Sequence, residues 1–189
     1  MPKLRPISSQ DCNTVYLWRN SANVSRYMYN QCQITWDEHT DWFNEMLNST
    51  KSVYWTIEVE REKIGLACIN DINYSSGCGN WAFYIAEENY RGAGIGSAVE
   101  LFVTNHGFNF LHLNKIDCEV LCWNKSIIRM HQKFGFHSVG KKYVFIQGKG
   151  ETEEVECFSM ERTDWIRNKE KNLRRLKAVG LNINLTEND

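Results

Sequence analysis

The residues best equipped for chemistry cluster in the second half of the chain. Arg91-Gly92-Ala93-Gly94-Ile95-Gly96 sets three glycines at alternate positions behind an arginine. Such a row exposes backbone N–H groups with no side chains in the way, and at the start of a helix those groups carry a partial positive charge. A pyrophosphate is the ligand this suits, held mostly by main chain with Arg91 in support. The spacing excludes a nucleotide-hydrolysing P-loop, because Gly96 is followed by Ser97-Ala98 rather than by Lys and a hydroxyl residue. It fits the dinucleotide fingerprint poorly, since Ser97 stands where that pattern needs Gly or Ala. Downstream, Glu119 lies mid-strand in Asp117-Cys118-Glu119-Val120-Leu121, where a carboxylate is either solvated or a proton acceptor. His131 follows Ile127 and Ile128 by one helical turn, on the inward face, as a packed imidazole or a proton donor.

These residues need a scaffold, and the pattern of apolar positions supplies one. A short strand precedes a helix over Ser8–Asn20. Thr35-Trp36-Asp37-Glu38 is a capping box, and His39, Trp42, Phe43, Met46 and Leu47 follow on one helical face. Val53–Val59, Lys63–Ile72 and Trp81–Ile85 read as three strands of a meander. After the glycine loop comes a long helix from Ile95 to about Phe110, then a strand over Lys115–Leu121. A helix over Lys125–Phe134 stops at Gly135, which suits a left-handed cap, and strands over Tyr143–Ile146 and Glu153–Met160 close the body. The fold class is α/β in the broad sense (α+β), one domain over residues 1–162. Residues 163–189 form a basic tail with six Lys or Arg between Arg167 and Lys177, read as a solvated helix or a frayed end.

Composition limits the partners. The chain has 189 residues, 42% of them hydrophobic, with 22 basic against 23 acidic groups. No global field is available to hold nucleic acid or an anionic membrane surface. No apolar run approaches the roughly 18 residues of a spanning helix, so a cytoplasmic protein is expected. Seven cysteines contain no CxxC pair and read as reduced packing thiols, with no metal site.

The glycine loop resembles the pyrophosphate loop, Arg/Gln-x-x-Gly-x-Gly, of the GNAT superfamily of N-acetyltransferases, which bind acetyl-CoA. Asn124-Lys125-Ser126 through His131-Gln132-Lys133-Phe134-Gly135-Phe136 is similar to that superfamily's second cofactor motif. The resemblance spans about residues 81 to 140 and implies a mixed, mostly antiparallel sheet of about seven strands flanked by helices. That sheet splays between the strands before and after the loop helix. By the same resemblance Phe83 and Ile85 would border the pantetheine arm, with the Ile85 N–H facing the thioester carbonyl. Arg91, Gly92, Ala93, Gly94, Ile95 and Gly96 would bind the pyrophosphate, and Asn124, Ser126 and Lys133 would complete the cofactor site. Glu119 would accept the amine's proton through water. His131 stands where these enzymes usually carry a tyrosine that protonates the departing sulfur.

The acceptor side is similar to that of the pseudaminic-acid-pathway N-acetyltransferases, through Leu17-Trp18-Arg19-Asn20, Tyr27-Met28-Tyr29 and His39 followed by Phe43. That likeness implies direct transfer to the free amine of a nucleotide-linked amino-dideoxy sugar, in pseudaminic acid synthesis for flagellin glycosylation. Arg19 and His39 would touch the nucleotide, with Met28, Tyr29 and Trp81 lining the pocket. Asn70-Asp71 replaces a lysine expected beside the sugar, so the sugar itself and the choice of UDP or dTDP stay open. Polyamine acetylation, ribosomal-protein N-terminal acetylation and a non-catalytic acyl-CoA sensor are the alternatives.

Overall fold

The computed structural model describes residues 1–181, 183 and 185. Seven strands make one sheet, in the spatial order β1-β2-β3-β4-β5-β7-β6. They are β1 (Pro2–Pro6), β2 (Val53–Val59), β3 (Glu62–Asn73), β4 (Cys78–Ile85), β5 (Lys115–Leu121), β6 (His137–Ile146) and β7 (Glu151–Glu161). Between β1 and β2 lie α1 (Cys12–Arg19), α2 (Ala22–Ser25) and α3 (Trp36–Asn48). Helix α4 (Ile95–Asn109) links β4 to β5, α5 (Lys125–Phe134) links β5 to β6, and α6 (Arg162–Ala178) follows β7. Every neighbouring pair is antiparallel except β4 and β5, whose parallel contact is the one reached through a crossover helix.

The central strands are buried from both sides. Ile64 and Ile69 of β3 join a core with Ala98, Val99 and Val103 of α4, while Leu66 joins Val15, Trp18 and Phe43 from α1 and α3 on the opposite face. Two helix signals act as read from the sequence. Thr35 and Glu38 form the capping box of α3, and Gly135 ends α5 at φ 109°, a backbone that strains any residue with a Cβ. The inner face of α3 is narrower than its apolar spacing implies: His39, Phe43 and Met46 are buried, whereas Trp42 and Leu47 are partly exposed. The first helix starts later than Ser8, after a 3-10 turn over Ser9–Asp11. β6 runs six residues before Tyr143 because it is the edge strand, nearly all exposed, so no alternation marks it. Residues 162–178 form α6, whose Trp165 and Leu176 enter the core against α4 and whose basic residues face outward. The reading of the tail at 182, 184 and 186–189 lies outside the described residues.

The feature that positions the site is an incomplete contact. β4 and β5 pair only at Cys78 with Lys115, Gly79 with Ile116 and Asn80 with Asp117, after which they part. The Ala86 N–H donates to the Ile64 carbonyl at 2.7 Å. By the alternation of an antiparallel ladder, the main-chain groups of Phe83 and Ile85 then point away from β3, into the gap.

Candidate active site

A cavity of about 1080 Å³ follows this gap. One end is lined by Gly92, Gly94, Gly96 and Ser97 at the start of α4, with Asn124 and Ser126 at the start of α5. Gly92 and Gly94 have φ of 82° and 79°, and space at Gly92 is open, so the loop turns its amides outward as a side-chain-free surface. The glycine row at the start of α4 and the unpaired edge of β4 border the same space, an arrangement that fits a pyrophosphate followed by an amide-bearing chain.

The loop residues divide by role. Ile95 sends its side chain into the core, and Ala93 is exposed and does not line the cavity. Arg91 lines the cavity, but its guanidinium donates to the Ile85 carbonyl at 2.7 and 3.0 Å and to the Asn23 carbonyl at 3.0 Å. It therefore also clamps the end of β4 to α2, while lining the end of the cavity where the glycine loop lies. Lys133 is exposed and lies outside the cavity lining, and its main-chain carbonyl accepts from Arg175. Asn124 caps α5 from its backbone, and its side-chain oxygen accepts from Ser126 Oγ at 3.0 Å.

Glu119 and His131 both line the cavity, on opposite footing. Glu119 sits at the rim, accepting from Tyr29 Oη at 2.8 Å and from Lys142 Nζ at 2.7 Å. Burial and that bond to Glu119 push the Tyr29 hydroxyl well above its usual range, so Tyr29 remains a donor. His131 is 2% exposed, edge-on to Trp81 and beside Phe136 and Phe158. Its Nδ1 lies 2.9 Å from Oε1 of Glu100, a fully buried residue of α4. Trp81 is buried and stacked on Phe83 at 5.3 Å, so it forms the floor of the site from within the core.

On the acceptor side, Arg19 and Met28 line the cavity, while Tyr29 reaches it through Glu119. Arg19 Nη2 donates to the Asn30 carbonyl at 2.5 Å, whereas its Nη1 is buried with no hydrogen-bond partner among the described residues. Desolvation lowers the Arg19 guanidinium below its usual value, yet an arginine stays charged in any protein. His39 donates Nε2–H to the Cys12 carbonyl at 2.9 Å inside a cage of Tyr16, Trp36, Trp42 and Phe43. Desolvation lowers its pKa, so it is a neutral core histidine with one edge on the cavity rather than a charge for a diphosphate. Sequence reasoning missed Glu100 and Ser97. A charge inside the apolar run Val99-Glu100-Leu101 was the available signal for Glu100, and Ser97 is the next helical position after the glycine row.

A sheet splayed beside an amide-lined helix start defines an acyltransferase architecture. The chain belongs to the acetyltransferase (GNAT) domain family, whose model matches residues 3–137, and it has the GNAT fold. It is similar to spermidine N(1)-acetyltransferase of Escherichia coli (strain K12), 27% identical over 139 residues that cover 74% of each chain. It is also similar to an SPbeta prophage-derived uncharacterized N-acetyltransferase of Bacillus subtilis (strain 168), 28% identical over 126 residues, covering 66% of this chain and 70% of that one. The crystal structure of spermidine N-acetyltransferase from Vibrio cholerae in complex with CoA and spermine superposes with TM-score 0.80 at 20% identity, covering 87% of this chain and 98% of that one. All three bear N-acetyltransferase names, two of them with a polyamine and none with an aminosugar, so they support the N-acetyltransferase class and lend nothing to pseudaminic acid synthesis or flagellin glycosylation.

Proposed function

We propose that this protein transfers the acetyl group of acetyl-CoA directly to the primary amine of a small molecule that carries an anionic group, such as a nucleotide-linked aminosugar. The open β4/β5 gap ending on the glycine loop supports the co-substrate. Backbone N–H groups from Gly92 to Ser97 would take the pyrophosphate, Asn124 the pantetheine amides, and the free edge of Phe83 and Ile85 the arm itself. The Ile85 N–H would stabilise the negative oxygen formed as the amine attacks the thioester. Glu119, through water, would receive the amine's proton, and His131 would give one to the sulfur as the C–S bond breaks.

The acceptor is read from one observation: a charged guanidinium beside the cavity with a nitrogen left unpaired. An oxyanion is the partner such a group suits. A second reading, acetylation of a polyamine, is favoured by the names of the relatives. Against it stands the charge of the lining, where both carboxylates are already engaged. Glu38 holds Thr35 at the start of α3 and Glu119 holds Lys142, while Arg19 faces the same space. A polycation would meet two acids that already hold donors and a guanidinium with no carboxylate partner among the described residues.

Acetyl-CoA consumption against UDP- and dTDP-aminosugars, spermidine and N-terminal peptides decides between them. Turnover confined to spermidine would overturn the anionic reading, and tight acetyl-CoA binding without turnover of any amine would leave a sensor. Within the preferred reading, Arg19→Ala should raise the acceptor KM about 10- to 100-fold, the scale of one or two charge-assisted hydrogen bonds, and leave acetyl-CoA affinity unchanged. Equal loss of both would make Arg19 structural.

A further inference from the structure

Glu100 is a carboxyl group with no solvent, one partner and a spare oxygen. It is 0% exposed, its Oε1 lies 2.9 Å from His131 Nδ1, and its Oε2 has no hydrogen-bond partner among the described residues. An isolated carboxylate in such a place is strongly unfavourable, so the group must share charge with its neighbour or stay protonated. The surroundings allow few alternatives. Trp81 from β4, Phe136 and Phe158 from β7 close on the imidazole with rings. From β5 the buried Cys118 thiol faces Glu100, and burial together with Glu100 holds that thiol well above its ordinary range, hence neutral. No other titratable side chain touches the pair among the described contacts. The other ring nitrogen, Nε2, makes no protein hydrogen bond among the described residues, and His131 borders the cavity.

We propose that Glu100 is a positioning residue for the transfer step: it shares one proton with Nδ1 of His131, so that Nε2 carries its own hydrogen toward the cleft and can give it to the departing sulfur. The inference rests on the N-acetyltransferase reading above. The proton count is the reason. A buried pair avoids net charge, and a proton on Oε2 would find no acceptor, so with the acid proton between Oε1 and Nδ1 the pair has two neutral arrangements: carboxyl with imidazole, or carboxylate with imidazolium. In both of them Nε2 is protonated, whichever atom holds the shared proton. The pair is thus a donor in either form, whereas a lone neutral histidine chooses between two tautomers. Burial raises the Glu100 carboxyl above its usual value, and attraction and a hydrogen bond from His131 offset this only in part, consistent with a retained shared proton. In the step itself the amine nitrogen bonds to the carbonyl carbon, the C–S bond breaks, and sulfur takes the Nε2 proton. The proton shed by the nitrogen passes through water to Glu119 and from there to solvent, and a solvent proton restores Nε2 before the next cycle, so atoms and charge balance.

The test begins without substrate. Nitrogen-15 spectra of the imidazoles in the ligand-free protein, assigned with His131→Phe, should show His131 Nε2 protonated from roughly pH 6 to 8, the range in which a free histidine loses its proton. A bare Nε2 with the hydrogen on Nδ1 would overturn the proposal even if Glu100 variants failed to fold. Glu100→Gln keeps the shape but cannot hold the shared proton. It should lower kcat about 10- to 100-fold with the acetyl-CoA KM within about twofold, and move the limb where activity falls with rising pH to lower pH. Unchanged kcat and an unchanged profile would also overturn it. Absence of turnover in the wild-type chain would instead strike the proposed function, so the two failures are distinct.

Discussion

Among the described residues two acidic side chains, Asp11 and Glu100, are 0% exposed, and their surroundings are opposite. Asp11, just before α1, is 0% exposed yet surrounded: Arg5 at 2.8 and 3.1 Å, Lys63 at 2.7 Å, the Ser8 N–H at 2.8 Å and Ser8 Oγ at 3.1 Å. Burial alone would raise its pKa, but the bonds from Arg5, Lys63 and Ser8 outweigh burial and hold it far below the carboxylate range. Glu100 has a single imidazole and an empty oxygen, and burial wins. The first arrangement ties β1, β3 and the start of α1 together and has no proton to give. The second sits one ring away from the cavity with a proton it can move. Saturation of a buried acid marks structure, and incompleteness beside a cleft marks chemistry.

The largest effect that sharpens this contrast is expected at the Glu100 pair. His131→Phe should cut kcat about 10²- to 10⁴-fold, the range of a lost proton donor, and leave acetyl-CoA binding by calorimetry nearly intact. The fold should survive, since the phenyl ring fills the slot among Trp81, Phe136 and Phe158, and Glu100, already raised by burial, can stay protonated. Unchanged turnover would remove His131 from the step and return it to the core.

The Asp11 cluster should respond in stability alone. Asp11→Asn is expected to lose about 2 to 4 kcal/mol in urea unfolding, somewhat under the range for a fully enclosed ion pair because the Arg5 and Lys63 side chains keep about a third of their exposure. kcat should hold. The pH dependence has a definite sign. The folded-state pKa of Asp11 is depressed, so its stabilisation is present above the unfolded value of about 3.9 and is lost as pH falls through the lower folded value. The gap between wild type and Asp11→Asn should therefore narrow below about pH 4. A constant gap, or a loss of kcat without loss of stability, would break the contrast between the two acids.

What could be read from the sequence depended on whether a residue's role is local. Gly135, the Thr35–Glu38 box and the bounds of β5 and α5 answer to neighbours in the chain, and they were legible. So were the glycine loop and the splay that it implies, because a motif carries its context with it. The carbonyl partners of Arg91, Ile85 and Asn23, were not legible because they come from a strand end and a helix that only the fold brings together. The hydrogen-bond partner of His39, the Cys12 carbonyl, was not legible because it lies 27 residues away. Glu100 and His131 sit 31 residues apart on different helices, and neither residue's spacing announces the other. The acceptor side was least legible, since the reading proposed for it rests on one arginine's unpaired nitrogen and pairing is a tertiary fact.

The smallest expected effect lies at the cavity rim, where Glu119 gives a third kind of acid, paired but wet. The hydrogen bond to Glu119 raises the Lys142 ammonium, yet the Lys142 and Glu119 side chains keep 47% and 36% of their exposure, so solvent screens most of their attraction. Lys142→Ala should lower stability by no more than about 1 kcal/mol. Tyr29 Oη would remain as the donor on Glu119, so the carboxylate should stay near its place and kcat should change about two- to fivefold at most. Tyr29→Phe combined with Lys142→Ala removes both donors and leaves the carboxylate free to rotate, which should enlarge the kcat loss beyond the product of the single changes. A stability loss above about 2 kcal/mol from Lys142→Ala would put Glu119 in the same class as Asp11. Strict independence of the two substitutions in kcat would mean that the position of Glu119 is irrelevant to the transfer.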